Sequence, residues 1–342
     1  MVGFIEISSG ENPMNGPALR AAREARGDTQ QAFAEWLNAK LGRRYDKGRV
    51  SRWEGGTEKI PQAVADLVGS PAMRQRDRAT IIAISNQKGG VGKTSAAVNI
   101  AAALAALGQR VLLVDADPQA SATVHLGISQ AEASDAGRTT YHVMLKDQPV
   151  TNAVVPVCDG RFHLLPSTIL LSAAETELMA EPMGTLVLRE RLASVARAYD
   201  YILLDCPPHL GMMTLNALAA ATGVLIPVQT EMLAMMGVPL LLDTIAKVRR
   251  RGNPDLAIIG ILPTMFTARH TQDRATLADL TERFGGSLRI FSAVPRSTIF
   301  PQSVAAAQPT VDVAPDPSIV APFREVAQSL LQADLTEEAD VA

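Results

Sequence analysis

The chain has 342 residues, 47% hydrophobic and 20% charged, with a formal net charge of −3. That length suits about two domains, and the balance supports a full core and excludes global disorder. Two cysteines, Cys158 and Cys206, are too few for a disulfide framework or paired metal-ligand spacing, and no apolar run reaches the roughly eighteen residues that span a bilayer. Glu6, Glu11 and Pro13 interrupt any apolar stretch near the start, so the expectation is a cytoplasmic protein without a secretory leader.

Residues 1–16 mix Gly, Ser, Asn and Pro without periodicity and predict a flexible arm. Residues 17–70 read as helical. A first helix is expected from Ala18 to Arg26, stopped by Gly27, and Thr29 is placed to N-cap a second whose Phe33, Trp36 and Leu37 share one face. After a link from Asn38 to Tyr45, Asp46 is placed to cap a third helix carrying Lys47, Arg49, Val50, Ser51, Arg52 and Trp53. Pro61 opens a fourth, with Val64, Leu67 and Val68 facing inward.

Short helices with Val50-Ser51-Arg52-Trp53-Glu54 on the third resemble the Xre/repressor type of helix-turn-helix domain, whose third helix enters the major groove. The resemblance implies that Val50 and Trp53 hold this helix to its domain while Lys47, Arg49, Ser51 and Arg52 touch DNA. Long basic side chains suit phosphates, and Arg also reads guanine edges. The link between helices two and three is longer than usual, and a helical bundle for dimerisation or docking is the alternative. Residues 71–80, with Arg74, Arg76 and Arg78, read as a linker.

The apolar run Ile81 to Ile84 leads into Ser85-Asn86-Gln87-Lys88-Gly89-Gly90-Val91-Gly92-Lys93-Thr94, and an Ala-rich helical pattern follows to about Leu107. Strand, Gly-rich loop and helix together make a phosphate cradle. The glycines let backbone N–H groups turn inward, and the helix N-terminus adds partial positive charge. Lys93 is placed to neutralise the β- and γ-phosphates and Thr94 to ligate Mg²⁺. Gln87 stands where the strict pattern has its first Gly, and Lys88 is an extra lysine.

That departure resembles the deviant Walker A group, the ParA/MinD family of P-loop ATPases, in which such a signature lysine crosses a dimer to the partner's nucleotide. The strand Arg110 to Asp115, ending Asp115-Ala116-Asp117-Pro118-Gln119, is similar to the family's second acidic motif. The resemblance implies that Asp117 positions the attacking water and that Asp115 helps hold the Mg²⁺ shell. Tyr201 to Asp205 reads as a Walker B strand whose Asp205 orders the metal. The following Cys206-Pro207-Pro208-His209-Leu210-Gly211 is similar to the family's γ-phosphate-sensing loop, with His209 where most relatives carry a small hydroxyl residue. Cys206 reads as a packing residue.

Residues 128–160 are turn-rich, with one helix near Thr139 to Leu145. Phe162 to Ser167 is a short strand with two helices after it, and His163 reads as a satisfied residue rather than a ligand. Further strand and helix pairs follow at Gly223–Val228 with Leu233–Arg251, and at Ala257–Pro263 with Ala268–Phe284, then a strand at Leu288–Val294. A last helix from about Ser318 to Leu331 precedes an acidic tail, 335–342, which argues against a basic membrane-binding helix. The family resemblance implies a nucleotide pocket from Lys88, Gly89, Gly90, Val91, Gly92, Lys93, Thr94 and Ser95, with Pro295 near the adenine. It also implies nonspecific DNA contacts from Arg269 and Arg296.

The expected architecture is therefore α/β: a P-loop, doubly wound, mostly parallel sheet with helices on both faces over 81–334, preceded by the small all-α helix-turn-helix domain. By resemblance the chain is a nucleoid-associated partition or positioning ATPase. ATP and Mg²⁺ drive a homodimer that binds DNA nonspecifically, a ParB-like or other adaptor stimulates hydrolysis, and the helix-turn-helix regulates its own operon. The alternative is a sequence-specific repressor switched by nucleotide. A nitrogenase-type reductase would need cluster-ligating cysteines that Cys158 and Cys206 do not supply.

Overall fold

The computed structural model describes residues 15–25, 28–68, 78–231 and 237–339, and the chain divides into two compact units, 1–75 and 76–342. Most of the expected arm and linker lies outside the described residues, as do Arg26 and Gly27.

The first unit holds α1 (Gly16–Ala25), α2 (Gln30–Leu41), α3 (Lys47–Glu54) and α4 (Gln62–Val68) around Leu19, Phe33, Leu37, Val50, Trp53 and Val64. Both anticipated caps form: Thr29 accepts from Ala32 N and Asp46 from Arg49 N. The link between α2 and α3 is shorter than expected, because α2 continues to Leu41 and ends on Gly42 in the left-handed region, φ 61°. Asn38, expected in the link, is helical and pins it: its side chain donates to Tyr45 O at 2.9 Å and accepts from Tyr45 N at 2.6 Å. A nearly buried pair, Arg23 Nε to Glu54 Oε1 at 2.6 Å, ties α1 to α3.

The second unit is a seven-stranded sheet in the order β3-β4-β2-β5-β1-β6-β7. Its strands are β1 (Thr80–Ile84), β2 (Val111–Asp115), β3 (Val155–Val157), β4 (Phe162–Leu165), β5 (Tyr201–Asp205), β6 (Gly223–Gln229) and β7 (Ala257–Thr264). All neighbours run parallel except β3, which pairs antiparallel with β4 at the edge. The central strands are continuously apolar because helices cover both faces, each with its own core.

α5 (Lys93–Ala106) is buried almost all round, and its Ala96, Ala97, Ala101, Ala102 and Ala103 let it lie close to the sheet. The helix Ala321–Ala339 packs on α5. Short helices α6 (Ser121–His125), α7 (Gln130–Asp135), α8 (Thr140–Leu145) and α9 (Val150–Ala153) fill the stretch after β2, of which only α8 was expected. On the opposite face lie α10 (Leu171–Ala180), α11 (Val187–Ala193), α12 (Met212–Ala220) and the helix Gly237–Arg251.

Two expectations need correction. Leu288–Val294 is not a strand: it runs beside β7, with Ile261 N donating to Arg289 O at 2.8 Å and Val294 N to Pro263 O at 2.8 Å, but forms only isolated bridges at Ile261/Ile290 and Phe266/Pro295. Pro263 has no N–H and breaks the ladder between them. The last helix, after a single 3-10 turn at Pro317–Ile319, continues to Ala339, so the described part of the expected tail, 335–339, is helical. Among the described residues no helix is long and apolar enough to cross a membrane.

Candidate active site

The sheet order sets the site. β1 lies between β5 and β6, and β5 between β1 and β2, so the chain emerges from three adjacent strand ends at one edge. Register places Ile84, Asp205 and Asp115 side by side across β1, β5 and β2. Ligands of open α/β sheets bind outside the carboxyl ends of such strands.

From β1 the chain turns through Gly89, Gly90, Val91 and Gly92 into α5. Gly90 and Gly92 take φ of 74° and 85°, values that side chains other than glycine rarely adopt, and Gly92 is the N-cap of α5. Two contacts hold this loop. Asn86 donates to Pro227 O at 2.6 Å and accepts from Lys88 N at 3.0 Å, while Thr264 Oγ1 donates to Val91 O at 2.8 Å. Inside the curve Lys93 Nζ donates to Lys88 O at 3.1 Å. Burial lowers the Lys93 ammonium below its ordinary pKa, and Asp205 and Asp117 partly offset this.

The two strand-end carboxylates differ. Asp115 is satisfied: Thr123 donates to it from N at 2.8 Å and from Oγ1 at 2.7 Å, and Asp117 N donates at 3.2 Å. Neither oxygen of Asp205 has a hydrogen-bond partner of ordinary geometry, although both are buried, and Thr94 is near enough only to temper its charge. Burial pushes Asp115 up to about 7, and burial and then the Asp115 charge push Asp205 well above the carboxylate range. A buried carboxylate without a partner, opposite a helix-borne hydroxyl, fits a cation with oxygen ligands. Among the described residues no group of three or more His, Cys, Asp or Glu is placed to hold a metal ion.

Asp117 is nearly buried beside this pair and accepts from Gln119 N at 2.9 Å. Lys88 Nζ meets Gln229 Oε1 and Glu231 Oε2, each at 3.3 Å. Glu231 also faces Arg296 Nη2 at 3.8 Å. The bridge Phe266/Pro295 brings the exposed Arg269 and Arg296 segments together beyond the end of β7. Ser95 lies in the first turn of α5, half-buried beside Thr94. Cys206 is fully buried, and burial raises its thiol, as a packing residue requires. His163 Nδ1 shares a 3.0 Å hydrogen bond with Tyr199 Oη.

On α3 the side chains of Lys47, Arg49, Ser51 and Arg52 are all exposed while Val50 and Trp53 are buried. Arg49 and Arg52 share Glu58, at 2.8 and 2.9 Å, and hold its carboxyl below the usual range. Sequence reasoning assigned no role to Asn86, Thr264, Gln229, Glu231 or Glu175. Asn86 stands at the mouth of the Gly-rich loop, and Gln229, Glu231 and Thr264 lie in segments, 224–231 and 264–269, that resemble the family, but Glu175 carried no local signal.

A family model described as an AAA domain matches residues 79–258. An uncharacterized protein of Mycobacterium tuberculosis H37Rv is 38% identical over 81% of this chain and 85% of its own length. The chromosome-partitioning ATPase Soj of Thermus thermophilus is 43% identical over 73% of this chain and 94% of its own. Among solved structures, a cobyrinic acid a,c-diamide synthase of Mycobacterium smegmatis with bound ATP analogue and magnesium superposes with a TM-score of 0.64 at 36% identity, over 74% of this chain and 95% of that one. The altered Gly-rich loop, the carboxylates aligned on β2 and β5, and these likenesses place the chain in one group: it belongs to the ParA/MinD family of P-loop ATPases.

Proposed function

We propose that the chain is a partition or positioning ATPase that pairs through ATP, binds DNA without sequence preference as a pair, and resets on hydrolysis. The observation that carries this reading is the orphaned, buried Asp205 carboxylate facing the Thr94 side of a glycine cradle. Thr94 and Asp205 would hold Mg²⁺, with Asp115 adding to its outer shell. When bound, the ion neutralises charge that develops on the transferring phosphoryl oxygens.

Lys93 would turn from Lys88 O to the phosphates, and the N–H groups of Gly89, Gly90, Val91 and Gly92 would cradle them, with Ser95 following Thr94. Pro295, paired with Phe266 two residues past the Thr264 anchor, borders the base. Asp117 orients the water. Lys88 leaves Glu231 and crosses to the phosphates of a second copy, adding positive charge where negative charge grows. The name of the Soj relative, a chromosome-partitioning ATPase, supports partition as the role; the proposed partners are DNA and an adaptor such as a ParB-like protein. Arg269 and Arg296 would face the DNA backbone.

A second reading, a repressor switched by nucleotide, is favoured by the row of exposed basic residues on α3. The two separate by which unit captures DNA. Fluorescence anisotropy with random-sequence duplex in ATP, in ADP and without nucleotide should show binding with ATP alone. Binding only to the protein's own operator, indifferent to ATP on random DNA, would leave the repressor reading.

A further inference from the structure

We propose that Glu175 is a positioning residue for this ATPase: it fixes the loop 206–211 and thereby sets how strongly the protein prefers ATP to ADP. The inference rests on the nucleotide reading above and adds a residue outside every phosphate-handling motif.

Glu175 projects from α10 onto the start of α12. Its Oε2 accepts from Met212 N at 2.7 Å and its Oε1 from Met213 N at 3.2 Å, and Oε1 also lies 3.2 Å from His209 Nε2. One carboxylate thus satisfies two orphan donors of a nine-residue helix and holds a ring from the preceding loop. The fit depends on Gly211. A Cβ there would stand 2.7 Å from both Glu175 oxygens and 2.8 Å from His209 Cδ2. Thr214 Oγ1 donates to His209 O at 2.6 Å and closes the turn.

The held segment is continuous with the site. Cys206 follows Asp205 and donates from N to Ile84 O at 3.3 Å, and Pro208 Cβ is the nearest atom to a Cβ built on Gly89, at 3.8 Å. Farther along α12, Asn216 accepts from Leu188 N at 3.0 Å and donates to Gly184 O at 2.8 Å, both buried, so the helix body is anchored without Glu175. Removing Glu175 therefore loosens the loop and first turn while the helix stays in place. A loop already in position spends no ordering entropy on meeting a γ-phosphate; a loosened one must be ordered by it. ADP, lacking that phosphate, makes no such demand.

The test measures dissociation constants of Mg²⁺-ADP and of a non-hydrolysable Mg²⁺-ATP analogue for the full chain, for Glu175→Ala, for Glu175→Gln and for His209→Ala, alongside kcat, KM and melting temperature. Glu175→Ala should weaken the analogue about fivefold, the size of a missing helix cap, and leave ADP unchanged. Glu175→Gln, which keeps one acceptor, should fall between, and His209→Ala should move the same ratio less. An unchanged ratio, or equal weakening of both nucleotides with a lower melting temperature, overturns the proposal by reducing Glu175 to a structural cap. So does a tighter analogue. A parent protein that binds neither nucleotide instead overturns the ATPase reading itself.

Discussion

Lys88 Nζ lies 3.3 Å from Glu231 Oε2, although the residues are 143 positions apart and sit on the loops that leave β1 and β6. The strands are neighbours, so the contact follows from the sheet order. Gln229 Nε2 donates to Glu231 Oε1 at 2.6 Å and aims the carboxylate, and Arg296 approaches the same oxygen. The lysine proposed to reach a second copy is thus held within its own chain.

A half-exposed ion pair contributes about 0.2–1 kcal/mol. Glu231→Gln should therefore release Lys88 and lower the ATP-analogue concentration that half-saturates dimerisation by up to about fivefold, as read by sedimentation velocity. An unchanged midpoint would show that the pair does not restrain the lysine.

The buried carboxylates give a pH-dependent outcome. Asp115 is raised to about 7 and Asp205 well above its ordinary value, so the folded, metal-free protein keeps protons that the unfolded chain releases near pH 4. Stability should fall as pH rises from about 4 to about 7 as Asp115 loses its proton in the folded state, and Asp205, raised well above its ordinary value, adds to the fall in the same direction. Asp205→Asn removes one buried charge and should raise the metal-free melting temperature at pH 8 by about 2–4 °C while abolishing Mg²⁺-dependent turnover. A scanning-fluorimetry series with and without Mg²⁺ decides it, and a lower melting temperature for the variant contradicts the account.

Lys93 carries the charge inside the cradle. Lys93→Ala should weaken ADP and ATP-analogue binding together by at least about tenfold, since the interaction it removes is charge-assisted and buried, with little change in fold by circular dichroism. Retained affinity would move the phosphates elsewhere.

On α3, Arg49 and Arg52 are free to reach a duplex only if Glu58 lets them go. Arg49→Ala with Arg52→Ala should abolish operator binding and reduce the salt slope by about one for each phosphate no longer neutralised, while ATP-dependent binding to random DNA persists. Loss of both activities would assign nonspecific binding to α3 as well.

The parts legible in the sequence were those in which residues close in the chain act together. Strand, glycines, Lys93 and Thr94 form one unbroken segment, and Asp205 ends an apolar strand, so each could be read locally. Contacts that hold the loop or its neighbours bring together positions far apart: Thr264 with Val91 across 173 positions, Lys88 with Glu231 across 143, Glu175 with Met212 across 37. Nothing local marks such pairs. The short antiparallel β3 carried too few residues for a periodic signal, and the segment at 288–294 looked like a strand because its apolar pattern does not report the missing N–H of Pro263 on its neighbour.

The central claim is that ATP couples two copies of this chain through Lys88. Sedimentation velocity of Lys88→Ala beside the parent, each with Mg²⁺ and ATP analogue, tests it directly, with steady-state hydrolysis measured on the same samples. The account predicts a parent that dimerises and a variant that still binds nucleotide but stays monomeric and loses turnover. A variant that pairs and hydrolyses ATP like the parent would contradict it.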